Sequence, residues 1–354
     1  MPEGRRFLVW LLATVMLLVA AILGITWLVD PYGMLTSRGQ GTAFCTPGIR
    51  IDDDRYLKPV LARLYQPEDI VLGSSRARWA FHEEFFTRRT GRRTVNLALN
   101  SASLEEIDRL TRQALADAPV RRVWIGLDFG AFAMPDWRQG RLGEPWTIAD
   151  PELTALRYGL FDPNAMRASL LALADPSSCS DPAFTPHGFV RSATLYGDSP
   201  LPILPDARVR AVVIRHWRFD EPARAAAYAE RMARLDALLA FLRQRRVPVI
   251  LFITPSHPVY QEMVAEAGLA ERRRRWREEV RSLAGRHGAT LLFSDTPAFL
   301  AAIRAPGCPA NVPPVDCLFY DTTHSRPMVG DAIVEAALAA EQPGPAPRRP
   351  PSAP

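Results

Sequence analysis

From Phe7 to Val29 the chain carries no charged side chain, with Arg5 and Arg6 before the run and Asp30 after it. A helix needs about 20 apolar residues to cross the hydrocarbon core of a bilayer, where no water satisfies backbone groups. The run is therefore expected to be a transmembrane helix. A cleaved signal peptide would have an apolar region of about 7–15 residues ending at a small-residue site. Here the run continues through Ile25, Trp27 and Leu28, so an uncleaved anchor is expected. Lys and Arg flanks stay cytoplasmic, which puts residues 31 onward on the far side of the membrane.

An outward-facing domain can form disulfides. Cys45, Cys179, Cys308 and Cys317 lack zinc-ligand spacing. Three pairings are possible. Cys308–Cys317 with Cys45–Cys179 is the first choice, because the two late cysteines are close in sequence. Lys and Arg total 43 against 38 Asp and Glu, a net charge of +5. The one dense basic run, Arg272 to Arg275, reads as a solvated helix face. Without interleaved aromatics or a recognisable module, no nucleic-acid partner is expected.

Beyond the anchor (1–30) and a connecting segment (31–67), short apolar runs alternate with helical patterns. Residues 69–73, 94–98, 122–128, 248–253 and 289–293 read as buried strands. Helices are expected over 103–118, where Ser103 and Glu106 form a capping box, over 221–245 and about 262–287, and from near Met328. This pattern predicts an α/β domain over 68–341, a three-layer sandwich around a mostly parallel sheet. Residues 134–219, rich in Pro, Trp and Asp, read as an insertion over the site, with Trp137, Trp146 and Trp217 as candidates for stacking on a ligand or for packing the segment. The Pro/Ala-rich tail 342–354 reads as disordered.

In such sheets ligands bind beyond the carboxyl ends of the strands. Gly73-Ser74-Ser75-Arg76 follows the first strand there. The turn can expose a serine hydroxyl and aim backbone N–H groups at the same point. Asp321-Thr-Thr-His324 precedes the last helix, so one loop offers a proton acceptor and the carboxylate that orients it. Each signal alone fits an ordinary turn or a helix cap. Their order along a parallel α/β pattern suggests one site.

The blocks Ile70-Val-Leu-Gly-Ser-Ser-Arg76, Val95 to Ser103, Trp124 to Phe129, Ile253-Thr-Pro-Ser-His257 and Tyr320 to Pro327 resemble the SGNH hydrolase superfamily. The closer likeness is to its membrane-anchored members in envelope polysaccharide modification, the alginate O-acetyltransferase proteins and the D-alanine transfer protein of teichoic acid synthesis. The resemblance implies Ser75 as nucleophile, His324 as base and Asp321 as its orienter, with no metal and no cofactor. It implies a serine acyltransferase or esterase acting on an envelope or secreted polysaccharide, held at a bacterial inner membrane. Its domain would face the periplasm or the exterior, and a multi-pass membrane protein would donate the acyl group. It also marks departures. Asn100-Ser101 stands where relatives tend to have Ser-Gly, and Asp128 where an Asn side chain usually donates to the oxyanion. Asn96 or Asn100 is a replacement donor, unless Asp128 simply caps its strand. Arg76 and His257 are candidate substrate contacts. The alternative function is a non-catalytic partner of a polysaccharide synthesis or acylation complex. A phosphate-binding turn is a third reading, without the usual Lys and Gly-rich loop.

Overall fold

The computed structural model describes residues 3–35, 54–134, 150–175, 185, 187–190, 214 and 221–341. Helix α1 (Glu3–Val29) is long and apolar enough to cross a membrane. Five strands follow: β1 (Asp69–Leu72), β2 (Thr94–Asn96), β3 (Arg122–Leu127), β4 (Val249–Ile253) and β5 (Thr290–Leu292). They form one all-parallel sheet in the order β2-β1-β3-β4-β5. Strand order reverses between β1 and β3, so the crevice of this α/β sheet opens at their carboxyl ends.

The remaining helices are α2 (Asp54–Tyr65), α3 (Ser75–Trp79), α4 (Glu83–Thr90), α5 (Leu104–Asp117), α6 (Phe129–Ala133) and α7 (Pro151–Thr154), which runs into a π-helical turn at Ala155–Leu160. Then come α8 (Pro163–Ala174), α9 (Glu221–Gln244), α10 (Pro258–Glu266), α11 (Ala270–His287), α12 (Pro297–Ala301) and α13 (Pro327–Glu341). Ile70, Leu72, Val123, Ile125 and Leu251 point into a core built with α2, α5, α9 and α11. Val71, Trp124, Ile250 and Phe252 point into a second core with α3, α4 and α13. Both faces of the sheet are covered, which is why its strands read as unbroken apolar runs without alternation.

The structure departs from the sequence expectations in two segments. The connector 31–67 contains α2, packed into the first core. Charges of α2 are paired inside the protein. Asp54 meets Arg78 at 2.6 Å and Arg55 meets Glu106 at 3.0 Å. The Lys58 ammonium donates to the carbonyls of Asn96 (2.5 Å) and Gly188 (2.7 Å), which seats it against the edge strand β2. Burial, reinforced by Arg78 and opposed by Asp54, pulls the Lys58 pKa well below the ordinary lysine value. The stretch 262–287, expected as one helix, is two: α10 ends at Glu266 and α11 begins at Ala270. The capping box of α5 forms as expected, with Glu106 donating its N–H to the Ser103 hydroxyl (3.2 Å) and accepting from the Ser103 N–H (3.1 Å).

Cys308 and Cys317 are disulfide-bonded, their Cα atoms 5.8 Å apart, and this closes the loop that leads to residues 319–327. Cys45, Cys179, Trp137, Trp146, Trp217 and the tail 342–354 lie outside the described residues. Helix α13 seats the end of that loop through a backbone contact. A Cβ placed on Gly330 would lie 1.7 Å from the Ala80 carbonyl oxygen, at the end of α3. No side chain fits there without moving one of the two elements. Gly330→Ala is expected to lower unfolding free energy by about 3 kcal/mol, the upper range for overpacking. Chemical denaturation with unchanged m-value checks this, and a midpoint equal to that of the wild type would contradict the packing.

Candidate active site

Strand β1 ends at Leu72, and Gly73 turns the chain with φ 139°. A Cβ on Gly73 would sit 2.8 Å from Ala77 Cβ and 2.9 Å from the Gly126 carbonyl oxygen on β3. Only glycine supplies both that φ and that clearance. Ser74 caps α3, its hydroxyl accepting the Arg76 N–H at 3.2 Å. Ser75 is therefore the first helical residue, at the sheet's carboxyl edge beside the reversal of strand order.

The loop after the disulfide folds back on itself: the Tyr320 N–H donates to the His324 carbonyl (2.9 Å), and Phe319 bridges Ser325. Between them, Asp321 Oδ1 accepts the N–H groups of Thr323 (2.6 Å) and His324 (2.8 Å) and the Thr323 hydroxyl (2.9 Å). This Asx turn follows from the short Asp side chain reaching its own downstream backbone. The other carboxylate oxygen, Oδ2, lies 2.7 Å from His324 Nδ1, and His324 Nε2 lies 2.9 Å from Ser75 Oγ. Ser75, His324 and Asp321 thus form one hydrogen-bonded series across 249 residues of sequence. With Asp321 holding Nδ1–H, Nε2 is left as the acceptor facing the serine hydroxyl. Trp79 flanks the imidazole, ring centres 5.8 Å apart. Ser75 and His324 are both partly exposed.

Burial pushes the Asp321 carboxyl up, but the hydrogen bond and charge of His324, with the N–H groups of Thr323 and His324, pull it well below the usual carboxylate range. The imidazole therefore has a fixed anionic partner at neutral pH.

The other candidates fall into distinct roles. Arg76 Nε lies 3.3 Å from Asp128 Oδ1, and its guanidinium stacks 4.5 Å from the centre of the Tyr260 ring. Burial disfavours the Arg76 charge, but Tyr260, Asp128 and Asp321 outweigh it and hold its pKa above the ordinary arginine value. Asp128 makes no side-chain cap to α6; it pairs with Arg76 and accepts the Thr254 hydroxyl. Asn96 is fully buried, donating to the carbonyls of Ala77 (3.4 Å) and Arg78 (3.3 Å) and accepting the Ala98 N–H. Its amide is used to fasten β2 to α3. Asn100 is gripped by its backbone: the Asp54 carboxylate accepts its N–H at 2.8 Å and Arg55 donates to its carbonyl at 2.7 Å. Ser101 has φ 49°, so it adopts the left-handed conformation that a glycine would take there, at about 1–2 kcal/mol for a residue with a Cβ. His257 is buried, 2.9 Å from Asp316 through Nε2, while its Nδ1 accepts the Val259 N–H and caps α10. Both ring nitrogens are occupied, so the structure does not present His257 to a ligand.

Asp54, Arg55, Arg78, Thr254 and Tyr260 shape this site and were not legible beforehand. They are single residues on separate elements with no shared motif. Thr323 was legible in principle, because Asp-Thr-Thr-His carries the Asx-turn composition. Among the described residues no group of three or more His, Cys, Asp or Glu side chains is arranged to hold a metal ion. Compared with known proteins, the chain matches no family model, no curated protein and no solved structure.

The depressed Asp321 pKa sets a pH dependence. A carboxylate whose folded pKa is lowered stabilises the fold fully above its unfolded value of about 3.9, and this is lost as pH falls through the folded value. Wild-type stability is therefore expected to drop faster than that of Asp321→Asn as pH is taken below about 4. Parallel urea-denaturation profiles for the two proteins over that window would contradict the assignment.

Proposed function

We propose that this chain is a membrane-anchored serine acyltransferase or esterase of SGNH type, with Ser75, His324 and Asp321 as its triad and an envelope or secreted polysaccharide as its substrate. The observation that carries the reading is the hydrogen-bonded series from Ser75 through His324 to Asp321 at the carboxyl edge of the sheet. The parallel sheet covered on both faces supports the three-layer sandwich of that superfamily. Helix α1, with Arg5 and Arg6 before it, supports a single span in a bacterial inner membrane with the domain outside the cytoplasm.

In this mechanism Ser75 Oγ attacks the acyl carbonyl carbon while His324 Nε2 takes the hydroxyl proton. The carbonyl π electrons move to oxygen, giving a tetrahedral oxyanion. His324 then returns the proton to the departing oxygen, the bond to it breaks, and an acyl-Ser75 ester remains. A sugar hydroxyl or a water then attacks that ester as His324 takes its proton; the acyl–Oγ bond breaks, the acyl group leaves on the acceptor oxygen, and His324 returns the proton to Ser75 Oγ. Asp321 stabilises the imidazolium in both half-reactions. The N–H of Ser75, at the head of α3, and the N–H of Ser101, in its left-handed turn, are the backbone oxyanion donors of this reading. Asp128 cannot donate as an Asn would. Its role is to hold Arg76, whose guanidinium provides positive charge next to the nucleophile. Because acyl-CoA is confined to the cytoplasm, the donor is an acyl-carrying multi-pass membrane protein.

The rival reading, a non-catalytic partner in an acylation complex, draws its support from Asp128 at the donor position. Incubation of the full chain in detergent with an activated acetyl ester, followed by peptide mass spectrometry, separates the two. One acetyl group on Ser75, absent from Ser75→Ala, is expected. Added oligosaccharide that becomes acetylated would mark transfer, and free acetate alone would mark hydrolysis. Equal acetylation of wild type and Ser75→Ala would overturn the enzyme reading.

A further inference from the structure

Among the described residues, exposed large apolar side chains occur in two places: on α1, and on the segment from α7 to α8. In the second they are Leu153, Leu156, Phe161, Leu170, Leu171 and Leu173, each between 39% and 55% exposed. A water-facing surface does not concentrate large apolar groups in this way.

The segment is continuous with α1. Helix α8 and the π-helical turn before it both pack against α1, and Gly159 of that turn lies against Met34 and Leu35 just past the end of α1. The residues of α1 that are fully withdrawn from solvent, Thr26 and Val29, lie in its last turns. Helix α8 buries Ala165, Ser169 and Ala172 and leaves its leucines outside. Small residues at such spacing let two helices approach closely where lipid gives no hydrophobic drive for association.

The depth is set by the residues around the exit of α1. Asp30 closes the turn there, accepting the N–H groups of Met34 (3.0 Å) and Leu35 (3.1 Å). Tyr32, Tyr56 and Tyr158 gather beside it, the last two stacked at 3.9 Å. Tyrosine is enriched at the headgroup level of membranes. Helix α8 has 12 residues, a length of about 18 Å at 1.5 Å per residue. Its one cation, Arg167, has a stem long enough to reach the headgroups.

We infer that the segment Leu153–Leu173 is a second membrane contact, an amphipathic element lying in the outward leaflet against α1, with the lipid bilayer itself as its partner. The inference rests on the reading of α1 as a membrane span. Its consequence is that the catalytic domain is held close to the membrane by two elements, in reach of a membrane-bound acyl donor and not free to swing on a single tether.

The test uses the full chain in vesicles of phosphatidylethanolamine and phosphatidylglycerol doped with a phospholipid carrying a diazirine in its acyl chain. After photolysis, labelled positions are mapped by mass spectrometry. Label on residues 7–29 and also on 153–173 is expected. In the triple variant Leu170→Gln, Leu171→Gln, Leu173→Gln, label on 153–173 should fall several-fold while label on α1 is unchanged and far-ultraviolet circular dichroism matches the wild type. Label confined to α1 would overturn the inference and leave the span reading standing, the apolar face then belonging to a protein partner. Label on neither region would overturn both.

Discussion

The site depends on how closely the last helix approaches the first helical turn after β1. At Gly330 the backbone of α13 lies against the Ala80 carbonyl with no room for a side chain. That contact sets the loop before α13 beside the carboxyl end of β1, where Ser75 and His324 meet despite their separation in sequence. The turn at Gly73 works on the same principle from the other side: α3 sits on the sheet because nothing larger than hydrogen projects from that position. At both positions the close approach of backbone to its neighbour leaves room for glycine alone.

Around this geometry the protein buries charge in pairs. Asp54 and Arg78 are both fully buried, as are Asp69 and Arg122. Such pairs contribute little net stability against a hydrophobic replacement, yet removing one partner costs about 3–5 kcal/mol because the other charge is left uncompensated. Their value here is positional. Asp54 ties the Asn100 N–H to the residue that follows α3's first turn, and Arg55 ties the Asn100 carbonyl to α5 through Glu106. The loop ending in the left-handed Ser101 is thereby held from both sides. That grip replaces the conformational freedom a glycine would have supplied. Arg76 and Asp128 form a third pair, which fixes a cation next to Ser75.

Much of the frame was readable in the sequence because it rests on local rules. The five strands are short apolar runs ending in turn residues, and the α5 capping box is a four-residue signal that formed as written. Asp321 and His324 were readable as a pair because three residues separate them on one loop. Helix α2 was not, since the partners of its Asp54, Arg55 and Lys58 lie on α3, α5 and β2, far from it in sequence. His257 was read as a candidate substrate contact; only tertiary structure brings Asp316 to it and buries both. The conformation of Ser101 likewise depends on contacts that no local pattern encodes.

The central claim is that His324 makes the Ser75 hydroxyl nucleophilic. The most direct measurement is the rate at which a fluorophosphonate labels Ser75 in the full chain, in wild type and in His324→Ala. A positioned general base contributes about 10²–10⁴-fold to such a step, so the variant should be slowed by that order, with the label in wild type found on Ser75. Equal labelling rates in the two proteins, or a label on a different serine, would contradict the account.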